Sequence, residues 1–309
     1  MIEYNSLQEI HPELNGTAVA IGFFDGLHIG HQAVIRAAIA RAEEQNLTPA
    51  VFTFDVERDS LPTRKPIGKR IMSPSLFREQ LEKLNVPILY NLPFGELRGF
   101  SPEDFAKEVL EQKIGTRFVS CGRNFHFGKG ASGAAYDLAR IGWKLGFEVE
   151  ALPIVTLDRE AVSSTRIREL IEKGDMAKVA AMLGRRYAVD FPVVEGNRIG
   201  RTLGAPTINQ PYPDGYAVPK FGVYASLTLV DGTWHTSVTN VGVKPTVGSD
   251  RVLAETYIQN YQGDLYGRQV QVELVKFLRE ETKFENIEAL RDQINEDSRQ
   301  AAEIGSRLI

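Results

Sequence analysis

The chain has 309 residues, 43% of them hydrophobic and 25% charged, which predicts a folded protein of two domains of roughly 150 residues each. Its net charge of −4 argues against a nucleic-acid partner, and no apolar run approaches the ~18 residues that span a bilayer. Cys121 is the only cysteine, which excludes an intrachain disulfide, and the first residues lack the pattern of a secretion signal. We therefore expect a cytoplasmic protein, a monomer or weak homo-oligomer, that acts on small molecules without nucleic acid or membrane.

Apolar strands alternate with helices through the first half of the chain. Strands are predicted at residues 17–24, 49–55, 86–92, 118–122 and 149–155, and helices at 31–45, 74–84, from 101 onward and at 136–146. Because this alternation is typical of parallel sheets covered by helices, we expect a doubly wound α/β domain. Ligands of such sheets bind beyond the carboxyl ends of the strands, where the turn at residues 22–31 lies.

The pattern changes in the second half of the chain. Runs rich in β-forming residues, separated by Gly, Pro and Asp, occur at 191–194, 222–230, 233–241, 255–261 and 269–277. Because no helix separates them, they predict an antiparallel β-barrel. An amphipathic C-terminal helix is predicted from apolar residues at helical spacing: Ile287, Leu290, Ile294, Ala301, Ile304 and Leu308. We place the boundary at Gly184, which gives domains of residues 1–184 and 185–309.

The turn at residues 22–31 carries His28 and His31, three residues apart at the start of a predicted helix. Residues at this spacing share one face, so both imidazoles can address one ligand. The free N–H groups and positive dipole end of the helix favour an anion, and Gly26 and Gly30 let a phosphate approach closely. We interpret the turn as a nucleotide site whose imidazoles stabilise an α-phosphate during adenylyl transfer. The simpler alternative is that both histidines only cap the helix.

Two further segments of the first half follow predicted strands. The segment from Ser163 to Arg168 offers hydroxyls, backbone N–H groups and the guanidinium groups of Arg166 and Arg168 to the β- and γ-phosphates of ATP, or else forms an ordinary helix N-cap. In the other segment, Asn124 is placed to form hydrogen bonds with the edge of a base or flavin. Phe125 and Phe127 would stack on the ring of that base or flavin. The alternative is that both phenylalanines are core anchors, and His126 is equally compatible with a structural hydrogen bond.

The β-rich half has its own candidate site. Thr207 and Asn209 are two residues apart and hence on the same side of an extended chain. A hydroxyl and an amide oxygen are hard ligands that suit Mg²⁺, which retains waters and also binds substrate phosphates. Glu255 lies between apolar residues at strand spacing, where a carboxylate can take the proton from an attacking hydroxyl. Its alternative role is that of an exposed polar residue on a strand.

Seven segments, in this order, resemble the bacterial bifunctional riboflavin kinase/FMN adenylyltransferase family, also called FAD synthetase. They are residues 22–31, 124–128, 163–168, 204–209, 221–224, 240–246 and 264–267. The chain departs from the pattern at Asn124, where many members have Asp, and at Ala205 and Ile208, where many have Phe and Ala.

The resemblance implies two reactions that use ATP and Mg²⁺. The C-terminal barrel would phosphorylate riboflavin to FMN, and the N-terminal domain would transfer AMP from ATP to FMN, giving FAD and pyrophosphate. By resemblance, His28 and His31 would stabilise the adenylyl-transfer transition state, Glu255 would be the kinase base, and Thr207 and Asn209 would bind the metal with its nucleotide. The implied substrate- and nucleotide-binding residues are Gly22, Phe23, Asp25, Gly30, Asn124, Ser163, Ser164, Thr165, Arg166, Gly200, Thr202 and Thr207.

Three alternatives to this function stay open at the level of sequence. The chain could retain riboflavin kinase activity alone, with an impaired N-terminal half. It could be a nucleotidyltransferase with a different phosphorylated acceptor, the barrel serving for recognition. It could also be a flavin-binding regulator that has lost turnover.

Overall fold

The computed structural model describes residues 1–55, 68–196, 206–246 and 249–309, with the backbone alone described at 244–246, 249 and 250. The chain forms two compact units, Met1–Ile67 with Phe77–Ser163, and Gly68–Leu76 with Ser164–Ile309. The units therefore divide between Ser163 and Ser164. The domain boundary that we place at residue 184 stays a prediction about where the two activities separate.

The strands described in the first unit are β1 (Ile2–Tyr4), β2 (Thr17–Ile21), β3 (Thr48–Asp55), β4 (Ile88–Pro93), β5 (Thr116–Gly122), β6 (His126–Phe127), β7 (Gly133–Ala134), β8 (Glu148–Leu152), β9 (Thr156–Leu157) and β10 (Glu160–Ala161). Six of them form a parallel sheet in the order β1-β4-β3-β2-β5-β8. The short strands β6 and β7 form one hairpin, and β9 and β10 form another. The predicted doubly wound parallel sheet is confirmed.

The central strand β2 explains where the site of this unit lies. Its residues are all buried, as expected of a parallel strand covered on both faces. The chain winds outward from β2 through β3 and β4, and then returns to the other side of β2 with β5 and β8. The carboxyl ends of β2 and β5 therefore flank the point where the winding reverses, which is where open α/β sheets bind ligands. The loops that leave those two ends begin at Gly22 and Arg123.

The helices described around this sheet are α1 (Ile29–Gln45), α2 (Pro74–Lys83), α3 (Phe94–Leu97), α4 (Pro102–Asp104), which continues as a π-helical segment (Phe105–Lys113), and α5 (Ala135–Leu145). Ser101 caps α4 as the sequence predicts, because its hydroxyl accepts a hydrogen bond from the Asp104 N–H at 3.1 Å. The edge strand β1 was not predicted, since three residues are too few to show a period. No helix in the described ranges has the length and apolar character needed to cross a membrane.

The second unit contains α6 (Ser164–Lys173) and α7 (Met176–Leu183), followed by β11 (Tyr187–Val189), β12 (Thr207–Pro211), β13 (Gly222–Val230), β14 (Thr233–Thr246), β15 (Ser249–Ile258), β16 (Gln271–Arg279) and α8 (Ile287–Gly305). Its six strands form an antiparallel sheet in the order β11-β16-β13-β14-β15-β12. The predicted antiparallel domain and C-terminal helix are confirmed. Buried hydroxyls line the inner face of the sheet, where Thr239 contacts Ser226 at 2.8 Å and Thr256 at 2.9 Å.

Gln210 draws the two edges of this sheet together. Isolated bridges join Val194 to Asn209 on β12, and Pro192 to Gln269 just before β16. The fully buried Gln210 amide donates to the Phe191 carbonyl at 2.6 Å and to the Val270 carbonyl at 2.7 Å. One side chain therefore satisfies two buried acceptors where strand pairing is sparse, which curls the sheet toward a barrel.

The C-terminal helix α8 begins at a cap formed by Asn286, whose side chain accepts from the Ala289 N–H at 2.8 Å. Its most buried residues are Asp297, Ala301 and Gly305, spaced four apart, whereas Ile287 is 64% exposed. The buried face of the helix is therefore centred on Asp297, Ala301 and Gly305. Of the apolar residues that predicted the helix, Ala301 alone lies on that line of buried positions. The buried Asp297 carboxylate accepts from the Arg279 guanidinium of β16, with the closest contact at 2.8 Å.

Replacing Gln210 by Leu is expected to lower the free energy of unfolding by about 2–4 kcal/mol, because it leaves two buried carbonyls without their donor at nearly constant volume. Urea unfolding followed by far-UV circular dichroism measures the change. Gln262→Leu, at an exposed position of the same unit, is the matched control and should shift stability by less than about 0.5 kcal/mol. Equal effects of the two substitutions would show that the amide does not close the sheet.

Candidate active sites

The turn after β2 reverses the chain within a few residues. Gly26 and Leu27 both have positive φ, 78° and 43°, and the Leu27 N–H donates to the Phe24 carbonyl at 3.1 Å. A left-handed conformation is unusual for leucine, and such strain concentrates at functional sites. Burial of Leu27 and Phe24 compensates for it, since they are 1% and 3% exposed. The turn is thereby held rigid at the amino end of α1.

His28 occupies the N-cap position of α1. Its Nδ1 accepts a hydrogen bond from the His31 N–H at 3.2 Å, and its side chain is buried. An accepting Nδ1 carries no proton, so the His28 ring is neutral and its hydrogen lies on Nε2. The capping role that the sequence offered as the simpler alternative is therefore present. It is compatible with chemistry, because the cap fixes the tautomer that places the ring hydrogen on Nε2.

His31 stacks on His28, with ring centroids 3.5 Å apart and ring planes within 18°. Phe24 also contacts His31 edge to face, with ring centroids 5.3 Å apart. Burial, and then the neighbouring His28, hold the pKa of His31 well below its usual value near 6.5. The His31 Nδ1 is buried and has no hydrogen-bond partner among the residues that the structure describes. The pair is thus two neutral, stacked imidazoles.

Glycines shape this pair. A Cβ on Gly30 would lie 3.1 Å from the Cε1 and 3.2 Å from the Nδ1 of His28, tighter than ordinary contact. A Cβ on Gly22 would lie 3.1 Å from the Phe24 ring. Gly30 therefore makes room for the His28 ring, in addition to any role in phosphate approach. Asp25 is buried in the same turn and Phe23 is half-buried, and both make contacts within the structure.

The loop after β5 holds Asn124 in an exposed position. Its backbone carbonyl accepts from the His126 Nδ1 at 2.9 Å, which favours the structural role for that histidine. Phe125 and Phe127 stack in parallel with centroids 5.8 Å apart, and Phe127 belongs to the hydrophobic core. The structure therefore supports the core-anchor alternative for both phenylalanines, and Asn124 is one of the polar side chains that the loop exposes, with Arg123 and His126.

The segment from Ser163 to Arg166 falls at the division of the chain, with Ser163 ending the first unit and Ser164 beginning α6 in the second. Ser163, Ser164 and Arg166 make contacts within the structure, and Thr165 is exposed. The next basic residue, Arg168, donates to the Lys69 carbonyl at 2.6 Å in the second unit. That contact gives Arg168 a structural role.

In the second unit, strand register brings the predicted kinase residues together. Asn209 on β12 lies directly opposite Glu255 on β15. Directly opposed residues of antiparallel strands share a face, with Cβ atoms about 4.5–5.5 Å apart. Thr207 lies on the same face two residues away, and the Asn209 amide packs against the backbone of Gly196. Gly200 and Thr202 lie outside the described residues.

Register also adds a residue that the sequence reasoning did not select. Asn240 on β14 lies directly opposite Glu255, on the side away from Asn209. The three side chains form one polar row across β12, β15 and β14. Asn240 was in a segment that the resemblance used, but its turn-like surroundings showed no chemistry. Its significance depends on a cross-strand pair, which a single sequence does not display.

Both halves of the chain match known protein families. A family profile for FAD synthetase matches residues 10–166, and one for riboflavin kinase matches residues 183–305. A bifunctional riboflavin kinase/FMN adenylyltransferase of Listeria monocytogenes is 32% identical over 293 residues, 94% of this chain and 93% of the relative. Its counterpart in Bacillus subtilis is 32% identical over 306 residues, 97% of this chain and 96% of the relative. The chain belongs to this family.

A similar protein of Pseudomonas fluorescens, with the same family name, is 33% identical and covers 94% of each chain. Among solved structures, a macrolide-efflux protein from Streptococcus pneumoniae matches with a TM-score of 0.84 at 27% identity, over 96% of this chain and 97% of that one. The bifunctional family, its two enzyme activities and the fold predicted from the sequence are thus confirmed. Loss of the N-terminal activity is not favoured, because both halves match their family profiles.

Burial of neutral His31 predicts a pH dependence of stability. In the unfolded chain His31 becomes protonated near pH 6.5, whereas in the folded protein it stays neutral at that pH. The free energy of unfolding should therefore fall as the pH drops below 6.5, by at most about 1.4 kcal/mol per pH unit. Stability at pH 7.5 and 5.5 measures this fall. His31→Gln should flatten it, whereas His126→Gln, at an exposed histidine, should keep the wild-type slope. An unchanged slope in His31→Gln would contradict the assignment.

The contact between Gly30 and His28 predicts that Gly30→Ala lowers FMN adenylylation about tenfold, since small displacements of catalytic groups have large effects on rate. Riboflavin phosphorylation should not change. Chromatographic separation of the flavin products measures both steps. Gly95→Ala is the matched control in the same unit, because nothing lies within 4 Å of a Cβ there. Full adenylylation by Gly30→Ala would show that the ring tolerates the methyl group.

Proposed function

We propose that the first unit forms FAD at the His28–His31 pair. The observation that supports this proposal most directly is the capped and stacked pair of neutral imidazoles at the reversal point of a parallel sheet. An oxygen of the FMN phosphate attacks the α-phosphorus of ATP, and the bond to the bridging oxygen of pyrophosphate breaks. Imidazole N–H groups donate to the non-bridging oxygens of that phosphorus, where charge accumulates in the transition state.

The remaining predicted residues of this reaction surround the ATP and FMN groups in our proposal. Gly22, Phe23, Asp25 and Gly30 shape the turn, and Asn124 contacts the flavin or adenine edge. An amide binds such an edge by donating or accepting hydrogen bonds. Asn124, which stands where many members have Asp, therefore still recognises the ring edge, but without a charge. Nucleotide-binding roles for Ser163, Ser164, Thr165 and Arg166 stay predictions from the sequence.

In the second unit we propose that Glu255 removes the proton from the hydroxyl of riboflavin that becomes phosphorylated. The row formed with Asn209 supports this role, because it places one carboxylate beside the predicted nucleotide residues on one face of the sheet. The deprotonating oxygen attacks the γ-phosphorus of ATP and ADP leaves. The protein's task in such transfer is mainly positioning and charge stabilisation.

The donor set fits Mg²⁺ carried by ATP. The Thr207 hydroxyl and Asn209 amide lie on one face of β12, and Glu255 lies opposite Asn209. No group of three His, Cys, Asp or Glu side chains suited to a metal occurs within the described ranges. Mg²⁺ commonly takes few protein ligands and completes its shell with waters and phosphates, and when bound it would neutralise the phosphate charge. We place Gly200 and Thr202 with the nucleotide, and the protein in the cytoplasm as a monomer or weak homo-oligomer.

Two substitutions separate the proposed sites. His28→Ala should lower FMN-to-FAD conversion by at least about 10²-fold while riboflavin is still phosphorylated, and Glu255→Ala should do the reverse. Incubation with ATP, Mg²⁺ and either riboflavin or FMN, followed by separation of the flavins, measures each step. Equal loss of both steps in either variant would refute independent sites. Undiminished FAD formation by His28→Ala would remove that residue from the mechanism.

A further inference from the structure

Asn240 completes a row of polar side chains around the proposed kinase base. Strand register sets Asn209 opposite Glu255 on one side and Asn240 opposite it on the other. Opposed residues share a face, so the Glu255 carboxyl lies between two amides at cross-strand distance. The inference that follows rests on the proposed role of Glu255.

The Asn240 amide is incompletely satisfied. Its Nδ2 donates to a Glu281 carboxylate oxygen at 3.0 Å, but its Oδ1 is buried and has no hydrogen-bond partner among the described residues. Leaving a buried acceptor unpaired is unfavourable, because its hydrogen bonds to water are lost and not replaced. Such a group is consistent with an acceptor that finds its donor only in another state of the site.

Glu281 determines which atom of the amide is available. A carboxylate only accepts hydrogen bonds, so the Asn240 atom that faces it must be the NH₂ group. Gly242, two residues from Asn240 on the same strand face, makes room for this arrangement, because a Cβ there would collide with the Glu281 carboxylate. The amide cannot reverse without breaking this charge-assisted hydrogen bond, and Oδ1 therefore stays fixed as an acceptor.

We propose that Asn240 is a positioning residue for Glu255, and that its Oδ1 accepts a hydrogen bond from the Glu255 carboxyl when that group holds the substrate proton. During transfer, the hydroxyl proton of riboflavin moves to a Glu255 oxygen as the hydroxyl oxygen bonds to the γ-phosphorus. The bond from that phosphorus to the bridging oxygen breaks and ADP leaves with the electron pair. The new carboxylic O–H is the donor that the buried Oδ1 lacks in the resting state.

Asn240→Leu tests the proposal, because it keeps the volume and removes both polar atoms. The kcat of riboflavin phosphorylation should fall about tenfold, the loss expected for one hydrogen bond made during the reaction, while KM stays within about twofold. Asn240→Ser, which retains an acceptor oxygen, should recover part of the loss. Urea unfolding of the same samples, followed by far-UV circular dichroism, reports whether the second unit is folded. An unchanged kcat, or a loss that appears only in KM, would overturn the proposal.

Thr239→Val is the matched control for disturbance of the strand. Thr239 neighbours Asn240 on β14, but its side chain lies on the opposite, buried face among other hydroxyls. This variant should lower stability without lowering kcat. If it lowers kcat as much as Asn240→Leu does, the effect belongs to the strand and the proposal fails.

A double-mutant cycle tests the role given to Glu281. Glu281→Leu frees the amide to rotate and should lower kcat by itself, but it should add no further loss to Asn240→Leu. Additive losses would overturn the proposed linkage. Glu255→Gln distinguishes the two levels of inference. If that variant still phosphorylates riboflavin, the proposed function fails, whereas an inactive Glu255→Gln beside a fully active Asn240→Leu would overturn only the role of Asn240.

Discussion

Backbone hydrogen bonding between strands decides which side chains meet in each unit, because a shift of one residue would turn every side chain of a strand to the opposite face. In the second unit, the pairing of β12 with β15 and of β15 with β14 assembles the row of Asn209, Glu255 and Asn240 from three distant parts of the sequence. In the first unit, the order of parallel strands places the loops after β2 and β5 at the reversal point. Both sites are consequences of sheet topology.

The histidine pair shows how one hydrogen bond can serve structure and chemistry together. Helix α1 needs an acceptor for its first N–H groups, and the His28 Nδ1 supplies one. The same bond sets the tautomer of the ring, so a donor remains on Nε2 without any change of protonation. Stacking and burial keep His31 neutral as well. In the proposed adenylyl transfer, the pair would stabilise developing negative charge through oriented N–H dipoles, which a buried environment strengthens.

Several buried polar side chains of the second unit stabilise the sheet itself. Gln210 and the hydroxyls around Thr239 are buried and hydrogen-bonded, and they hold the curvature and register of the sheet. Gln210 and Asn240 each keep one buried amide oxygen without a hydrogen-bond partner among the described residues. Asn240 differs from Gln210 in its place opposite Glu255, whose carboxyl would supply the missing donor in the proposed reaction.

The sequence alone determined the order of elements and the change from an α/β half to a β-rich half. It predicted a site set of His28, His31, Thr207, Asn209 and Glu255. These features are local: they depend on periodicity, on short motifs and on spacing within one element. It also predicted the family correctly, because seven motifs occur in order. The tertiary structure decided the rest.

The strand β1 and the closure by Gln210 depend on partners far along the chain, such as Ile88 and Val270. The burial of Asp297 on α8 involves a face that apolar spacing did not mark. The neutral state of His31 depends on the neighbours that bury it. The turn at residues 22–31 was readable as a phosphate site from its residues, but only its folded geometry shows that His28 is a helix cap and a donor at once. A hydrogen bond or a cross-strand pair needs two groups in space, and a linear pattern specifies only one of them.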